Sequence, residues 1–305
     1  MSVSVHLSPV TGSKSARLSY TRALLSIYRL YPVIFYFLTF FFAFIHFFRD
    51  LLSCPKTASA ANSRYQRPES ATISRMSTTD IAANVSKLLD RVRSSAENCH
   101  RGNSDILVLA VSKTRPPEDI RAAHAAGLDH FGENYVQEAV QKVTDLRDLS
   151  LTWHFIGPIQ SNKTRDIAEN FDWVHSLERL KIARRLNDQR PRELPPIDVC
   201  IQVNISGEDS KSGIPLADVD ALAREVVELP RLRLRGLMGV PAAGSDDATL
   251  HSDFSRLRAS LEQLQSFVPT ADTLSIGMSA DMDIAIAEGS TIVRIGTAIF
   301  GPRER

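Results

Sequence analysis

The sequence predicts an α/β protein, a single (β/α)8 barrel over residues 76–305 preceded by a non-globular extension over residues 1–75. Three observations carry that expectation. Eight short apolar runs alternate with longer segments of helical period, small and hydroxylated residues follow the last two runs, and the composition changes near Met76.

In chain order, the opening segment Ile81 to Glu97 is an amphipathic helix, because Ile81, Val85, Leu88, Leu89 and Val92 keep helical spacing. The expected strands are Ile106 to Val111, His130 to Gly132, Thr152 to Ile156, Trp173 to His175, Asp198 to Val203, Leu232 to Val240, Leu274 to Ile276 and Ile292 to Ile295. Between them, Pro116-Pro117-Glu118-Asp119 starts a helix, since proline suits a first turn and acids favour the positive end of the helix. Further helices are expected over Val136 to Arg147, Lys163 to Asn170, Leu177 to Leu186, Leu216 to Leu229, Ala248 to Phe267 and Asp281 to Glu288. Eight such units close into a barrel; a doubly wound open sheet is the competing topology.

Residues 1–48 contain no acid, and Lys14, Arg17, Arg22 and Arg29 precede an apolar segment, 31–48. That pattern fits a membrane anchor, a mitochondrial transit segment, or an extension ahead of a true start at Met76. Residues 51–75 are rich in Ser, Ala, Pro and Arg without periodicity and read as a disordered linker.

The chain carries 36 basic and 35 acidic residues among 305, which gives no electrostatic reason to expect nucleic acid as a partner. Cys54, Cys99 and Cys200 are too far apart for a zinc knuckle or a disulfide framework and suit a reducing compartment. The eight histidines show no metal-ligand spacing, so no metal is expected.

Lys113 lies just past the first strand, at the end where barrels place reacting side chains. A solvated edge lysine is the alternative there. Gly277-Met278-Ser279-Ala280-Asp281 and Arg294-Ile295-Gly296-Thr297 end the last two strands. Glycine lets the backbone approach an anion, hydroxyls of Ser279 and Thr297 can donate, and helix N-termini attract phosphate. Ordinary glycine-rich turns are the alternative. Barrel closure pairs the last strand with the first, which brings Lys113 beside Gly296 and Thr297. An amine facing a phosphate cup in an apolar mouth is what a pyridoxal 5'-phosphate Schiff base needs. Arg294, which stays protonated, can donate to the pyridine nitrogen and keep that ring a poor electron sink; an ion pair with Glu133 or Asp281 is its other role.

The motifs around these residues resemble one family, the YggS/PROSC-like pyridoxal phosphate homeostasis proteins. They are Val111-Ser112-Lys113-Thr114, the run from Phe131 to Glu138, Trp153 to Lys163, Val203-Asn204 through Ser212-Gly213, Leu237-Met238-Gly239, Ser275 to Asp281, and Val293 to Gly301. Ile159 and Ile276 depart from the usual Leu and Met. The resemblance implies an alanine racemase-type barrel of fold type III, with Lys113 carrying the cofactor, Arg294 near the pyridine nitrogen, Ser279, Gly296 and Thr297 at the phosphate, and Asn134 and Met238 lining the pocket. His154 is expected as a core residue rather than a functional one.

A racemase needs two opposed bases, and only Tyr135 and His154 offer a second. That favours binding over turnover, and the resemblance implies a vitamin B6 homeostasis protein that holds pyridoxal phosphate and releases it to apo-enzymes; a weak amino-acid racemase is the alternative. About ten residues follow the last strand, too few for a further domain, and a monomer is expected. The expected location is cytoplasmic, or mitochondrial or membrane-anchored if the extension acts. Ser161-Asn162-Lys163-Thr164-Arg165 reads as a helix cap in preference to a second anion site, and the sequons at Asn84 and Asn204 as coincidence.

Overall fold

A computed structural model describes residues 78–102, 105–208 and 211–302. The apolar segment 31–48, the linker and Cys54 lie outside the described residues. Eight strands, all parallel, form a closed barrel in sequence order: β1 Leu107–Val111, β2 His130–Glu133, β3 Thr152–Phe155, β4 Trp173–Leu177, β5 Ile197–Val203, β6 Leu232–Gly239, β7 Thr273–Ser275 and β8 Ile292–Ile295. Closure runs through β1 and β8, with Leu107 opposite Ile292 and Ala110 opposite Ile295. The open-sheet alternative is excluded. Parallel strands are covered on both faces, which is why Leu107–Val111 and Ile197–Val203 are nearly continuous apolar runs.

The helix Pro117–Ala125 begins with proline in its first turn and Glu118 and Asp119 at its positive end, as the sequence suggests. The opening helix Thr78–Asn98 buries Ile81, Val85, Leu88 and Val92. It packs against Pro117–Ala125 and the closing helix Thr297–Phe300, and Asn84 Nδ2 donates to the Ile299 carbonyl at 3.1 Å. The sequon asparagine thus ties the two ends of the barrel domain together.

Beyond shifts of a few residues at other element ends, three boundaries differ from expectation in kind. β4 runs on to Leu177, which is fully buried opposite Ile201, so the following helix starts at Leu180. Leu216–Asp218 is a separate 3-10 turn ahead of the helix Val219–Val227. Thr297 does not close the last strand but opens the helix Thr297–Phe300. At Ser161–Lys163 a 3-10 turn precedes the helix Thr164–Asn170 without a side-chain cap; the Thr164 hydroxyl donates instead to the Ser161 carbonyl. Among the described residues no helix is long and apolar enough to cross a membrane.

Candidate cofactor site

Because β1 and β8 pair in register up to Ala110 and Ile295, the chain segments leaving them emerge side by side. A Cβ built on Gly296 would stand 3.2 Å from the Val111 carbonyl oxygen, so glycine permits this approach and keeps the space above it open. Lys113 then sits in a tight turn closed by the Arg115 N–H donating to Ser112 O at 3.0 Å, with Thr114 in the left-handed region at φ 63°. That conformation costs a non-glycine residue on the order of 1 kcal/mol and needs outside support.

The support comes from a buried charge cluster. Glu138 Oε1 accepts from the Thr114 N–H at 2.6 Å, and Lys142 Nζ donates to Ser112 O at 2.8 Å, to Glu133 Oε1 at 2.7 Å and to Glu138 Oε1 at 2.6 Å. The Ser112 hydroxyl also donates to Glu133, at 2.7 Å. Burial raises the Glu133 carboxyl above its ordinary value, against the pull of Lys142. The lysine turn is therefore anchored from its own β1 end, from β2 and from the helix Val136–Asp145.

Above this turn opens a cavity of about 480 Å³. Six of the seven expected site residues, Lys113, Asn134, Ser279, Arg294, Gly296 and Thr297, line it. Met238 does not: it is buried in β6 between Gln202 and Ser275, and Val240 reaches the cavity from that part of the wall. Arg115 and Met278 also line it and were missed by sequence reasoning. Arg115 carried a signal, as a second cation two positions beyond Lys113; its guanidinium donates to the carbonyls of Gly301 and Pro302 at 2.7 and 2.8 Å.

The turn after β7 is shaped for an anion. Gly277 has φ 93°, and a Cβ there would lie 2.6 Å from that of Ala285. Asp281 Oδ1 accepts from the Met278 N–H at 2.6 Å, which folds the turn and leaves the N–H groups of Ser279 and Ala280 without a protein acceptor among the described residues. The N–H groups of Thr297 and Ala298 have no protein acceptor among the described residues either, whereas those of Ile299 and Phe300 donate to Gly296 O at 3.0 and 2.9 Å. Across the cavity the side-chain oxygen of Asn134 is buried without a partner. Gly157 lets β3 pass: a Cβ would meet the Asn134 carbonyl oxygen at 2.2 Å.

Arg294 is buried, and no ion pair among the described residues includes it. Glu133 is taken by Lys142 and Asp281 by the Met278 N–H, so the ion-pair alternative for Arg294 fails. Its Nη1 donates to Ser275 O at 2.6 Å and Ser275 Oγ at 2.9 Å, and its Nη2 to Gly239 O at 2.9 Å. Burial pushes the guanidinium down to about 10, with Asp281 pulling the other way, so it stays charged at neutral pH. These bonds leave Nε and one Nη2 hydrogen for a group in the cavity.

Neither candidate second base reaches this space. Tyr135 is 55% exposed and His154 is fully buried in the core; the cavity lining includes neither. A cavity of this size, with an amine, an unpartnered amide oxygen, unpaired N–H groups and a permanent cation, fits a phosphorylated aromatic aldehyde such as pyridoxal phosphate.

Comparison with known proteins agrees with that chemistry. The family described as alanine racemase, N-terminal domain, matches residues 82–304. A pyridoxal phosphate homeostasis protein of Pseudomonas aeruginosa is 56% identical over 224 residues, which span 73% of this chain and 96% of the relative. One from Escherichia coli is 54% identical over 228 residues, covering 74% and 97%. The structure of PipY from Synechococcus elongatus with pyridoxal phosphate bound shares 37% identity at a TM-score of 0.64, over 72% of this chain and all 100% of that one. An alanine racemase from Corynebacterium glutamicum, 17% identical with a TM-score of 0.57 over 74% of this chain and 62% of its own, shares the fold.

Proposed function

The chain belongs to the pyridoxal phosphate homeostasis proteins and binds pyridoxal phosphate, and from that premise we propose that Lys113 carries the cofactor as a Schiff base in a barrel that stores and releases it. The observation that carries this reading is that Lys113 and the two anion-ready turns share one cavity. When bound, the cofactor supplies an aldehyde that condenses with a primary amine, with loss of water.

The chain's own residues do the rest. The clamp of Glu133, Glu138 and Lys142 holds the Lys113 turn in place. Ser279, Gly296 and Thr297 receive the phosphate through N–H and hydroxyl groups, and Asn134 faces the ring substituents. Arg294 donates toward the ring nitrogen and holds no proton it can surrender at neutral pH. With no second base lining the cavity and a permanent donor at the ring nitrogen, the arrangement favours carriage over racemisation. Apo-enzymes that need the cofactor are the proposed recipients. The free thiols of Cys99 and Cys200 suit the reducing cytoplasm as the place of action.

Titrating the purified protein with pyridoxal phosphate tests this. The wild type develops a visible band and Lys113→Ala does not, while its melting temperature stays within a few degrees of the wild type. A band of equal strength in Lys113→Ala overturns the proposal.

A further inference from the structure

We infer that His130, His154 and His175 form a one-way chain of neutral imidazoles which, through Ser275, takes the place of a carboxylate counter-ion for Arg294 and holds the guanidinium in orientation while its charge stays directed at the cavity. The consequence for cofactor binding rests on the function proposed above; the order of protons along the chain does not.

The chain crosses the barrel from its N-terminal end to the site. His130 Nδ1 lies 2.9 Å from His154 Nε2, His154 Nδ1 lies 2.9 Å from His175 Nε2, and His175 Nδ1 lies 2.9 Å from Ser275 Oγ. Arg294 Nη1 donates to that same hydroxyl oxygen at 2.9 Å. His130 is the first residue of β2 and half-buried, whereas His154, His175 and Ser275 have no exposed surface. Three polar rings in a core are costly unless each nitrogen is satisfied, and here the contacts satisfy them end to end.

One fact fixes every proton. Arginine can only donate, so Ser275 Oγ accepts from it and the hydroxyl hydrogen must go elsewhere. The acceptor within reach is His175 Nδ1. His175 then carries its proton on Nε2 and donates to His154 Nδ1; His154 in turn donates from Nε2 to His130 Nδ1, and His130 turns an Nε2–H outward. Each ring presents its acceptor nitrogen toward Arg294 and its N–H away, so the dipoles align with their negative ends at the guanidinium and reinforce one another.

The surroundings keep the rings neutral. Burial and the charge of Arg294 bring His175 down to about 3, and burial followed by the neighbouring rings brings His154 well below its ordinary value. Trp173 stacks on His154 at 5.3 Å and adds no charge. Carboxylates approach only at the outer end, where Asp129 and Asp172 oppose the burial that lowers His130. A carboxylate beside Arg294 would cancel its positive field; aligned neutral dipoles stabilise the cation without neutralising it.

The test is nitrogen NMR of the cofactor-free protein labelled with 15N-histidine, joined to pyridoxal phosphate titrations of Ser275→Ala and Ser275→Thr. The account expects Nε2–H tautomers at all three rings near neutral pH and unprotonated His154 and His175 down to about pH 5. Ser275→Ala weakens cofactor binding roughly tenfold and disturbs the His175 tautomer, and Ser275→Thr, which keeps the hydroxyl, restores both. Nδ1–H or doubly protonated His154 or His175 in the wild type overturns the inference, even if Ser275→Ala fails to fold. Wild-type affinity in a folded Ser275→Ala overturns it as well. Loss of the visible band in the wild type would count against the proposed function alone, because the tautomers are read without cofactor.

Discussion

Two arginine sites at opposite ends of the barrel are built in opposite ways. At the N-terminal end, Arg233 and Arg235 both bond to Asp198, and Arg235 also donates to Asp272 Oδ1 at 2.9 Å and Oδ2 at 2.7 Å while lying 4.9 Å over the Trp173 ring. These two charges are answered by opposite ones, while Arg190 at the same end is held by the Ala168, Phe171 and Pro195 carbonyls. At the C-terminal end Arg294 is buried with two carbonyls and a hydroxyl as its partners and, among the described residues, no carboxylate in contact. The contrast separates charge spent on closing the barrel from charge kept for a ligand. A saturated network adds rigidity, and an unsaturated one adds binding.

Acid should expose the difference most strongly. His154 and His175 titrate in the folded protein below the ordinary value of 6.5, His175 at about 3, so the unfolded chain takes up protons first as pH falls. Their contribution to stability is complete above 6.5 and is lost progressively below it, at about 1.4 kcal/mol per pH unit for each ring. Burial alone would raise Asp272, but hydrogen bonds from Arg235 and Thr273 bring it below its ordinary value, so its contribution persists to lower pH. Chemical denaturation between pH 7 and 5 should therefore lose at least about 2 kcal/mol through His175 in the wild type, with His154 adding to it, and correspondingly less in His175→Gln. Equal losses in the two proteins would contradict the neutral-ring account.

Next in size is Asp198→Ala, which leaves two guanidinium groups without their shared carboxylate. Discounted for the exposure of Arg233, the loss of stability is about 2 kcal/mol, read from urea midpoints, with cofactor affinity unchanged. The smallest effect is expected of Arg294→Met, which should reverse that pattern: pyridoxal phosphate binding roughly tenfold weaker, about 1.4 kcal/mol, with a smaller change in melting. If both variants lose stability and affinity together, the two ends are not separate in function.

Much of the barrel was legible because buried parallel strands leave apolar runs and the helices between them keep their period. Where it was misread, an apolar residue stood at a boundary: Leu177 continues a helical pattern into Leu180 yet belongs to β4, since burial decides where a strand ends and periodicity does not. Lys113, Ser279, Arg294, Gly296 and Thr297 were legible together because closing the eight strands into a barrel sets the first beside the last, whereas Asn134 came from the family resemblance. Met238 was carried by resemblance and falls in the wall rather than the cavity. The histidine chain was missed because its members are 24 and 21 residues apart, the length of a β/α unit and not of a ligand motif. Laying successive strand segments side by side would have shown a histidine in each of β2, β3 and β4.

The most direct test of the central claim is chemical: load the full chain with pyridoxal phosphate, reduce it with borohydride, digest it and weigh the peptides. The account predicts one stable pyridoxyl adduct, on the peptide that contains Lys113. An adduct confined to another lysine, or none at all from a cofactor-loaded protein, would contradict it.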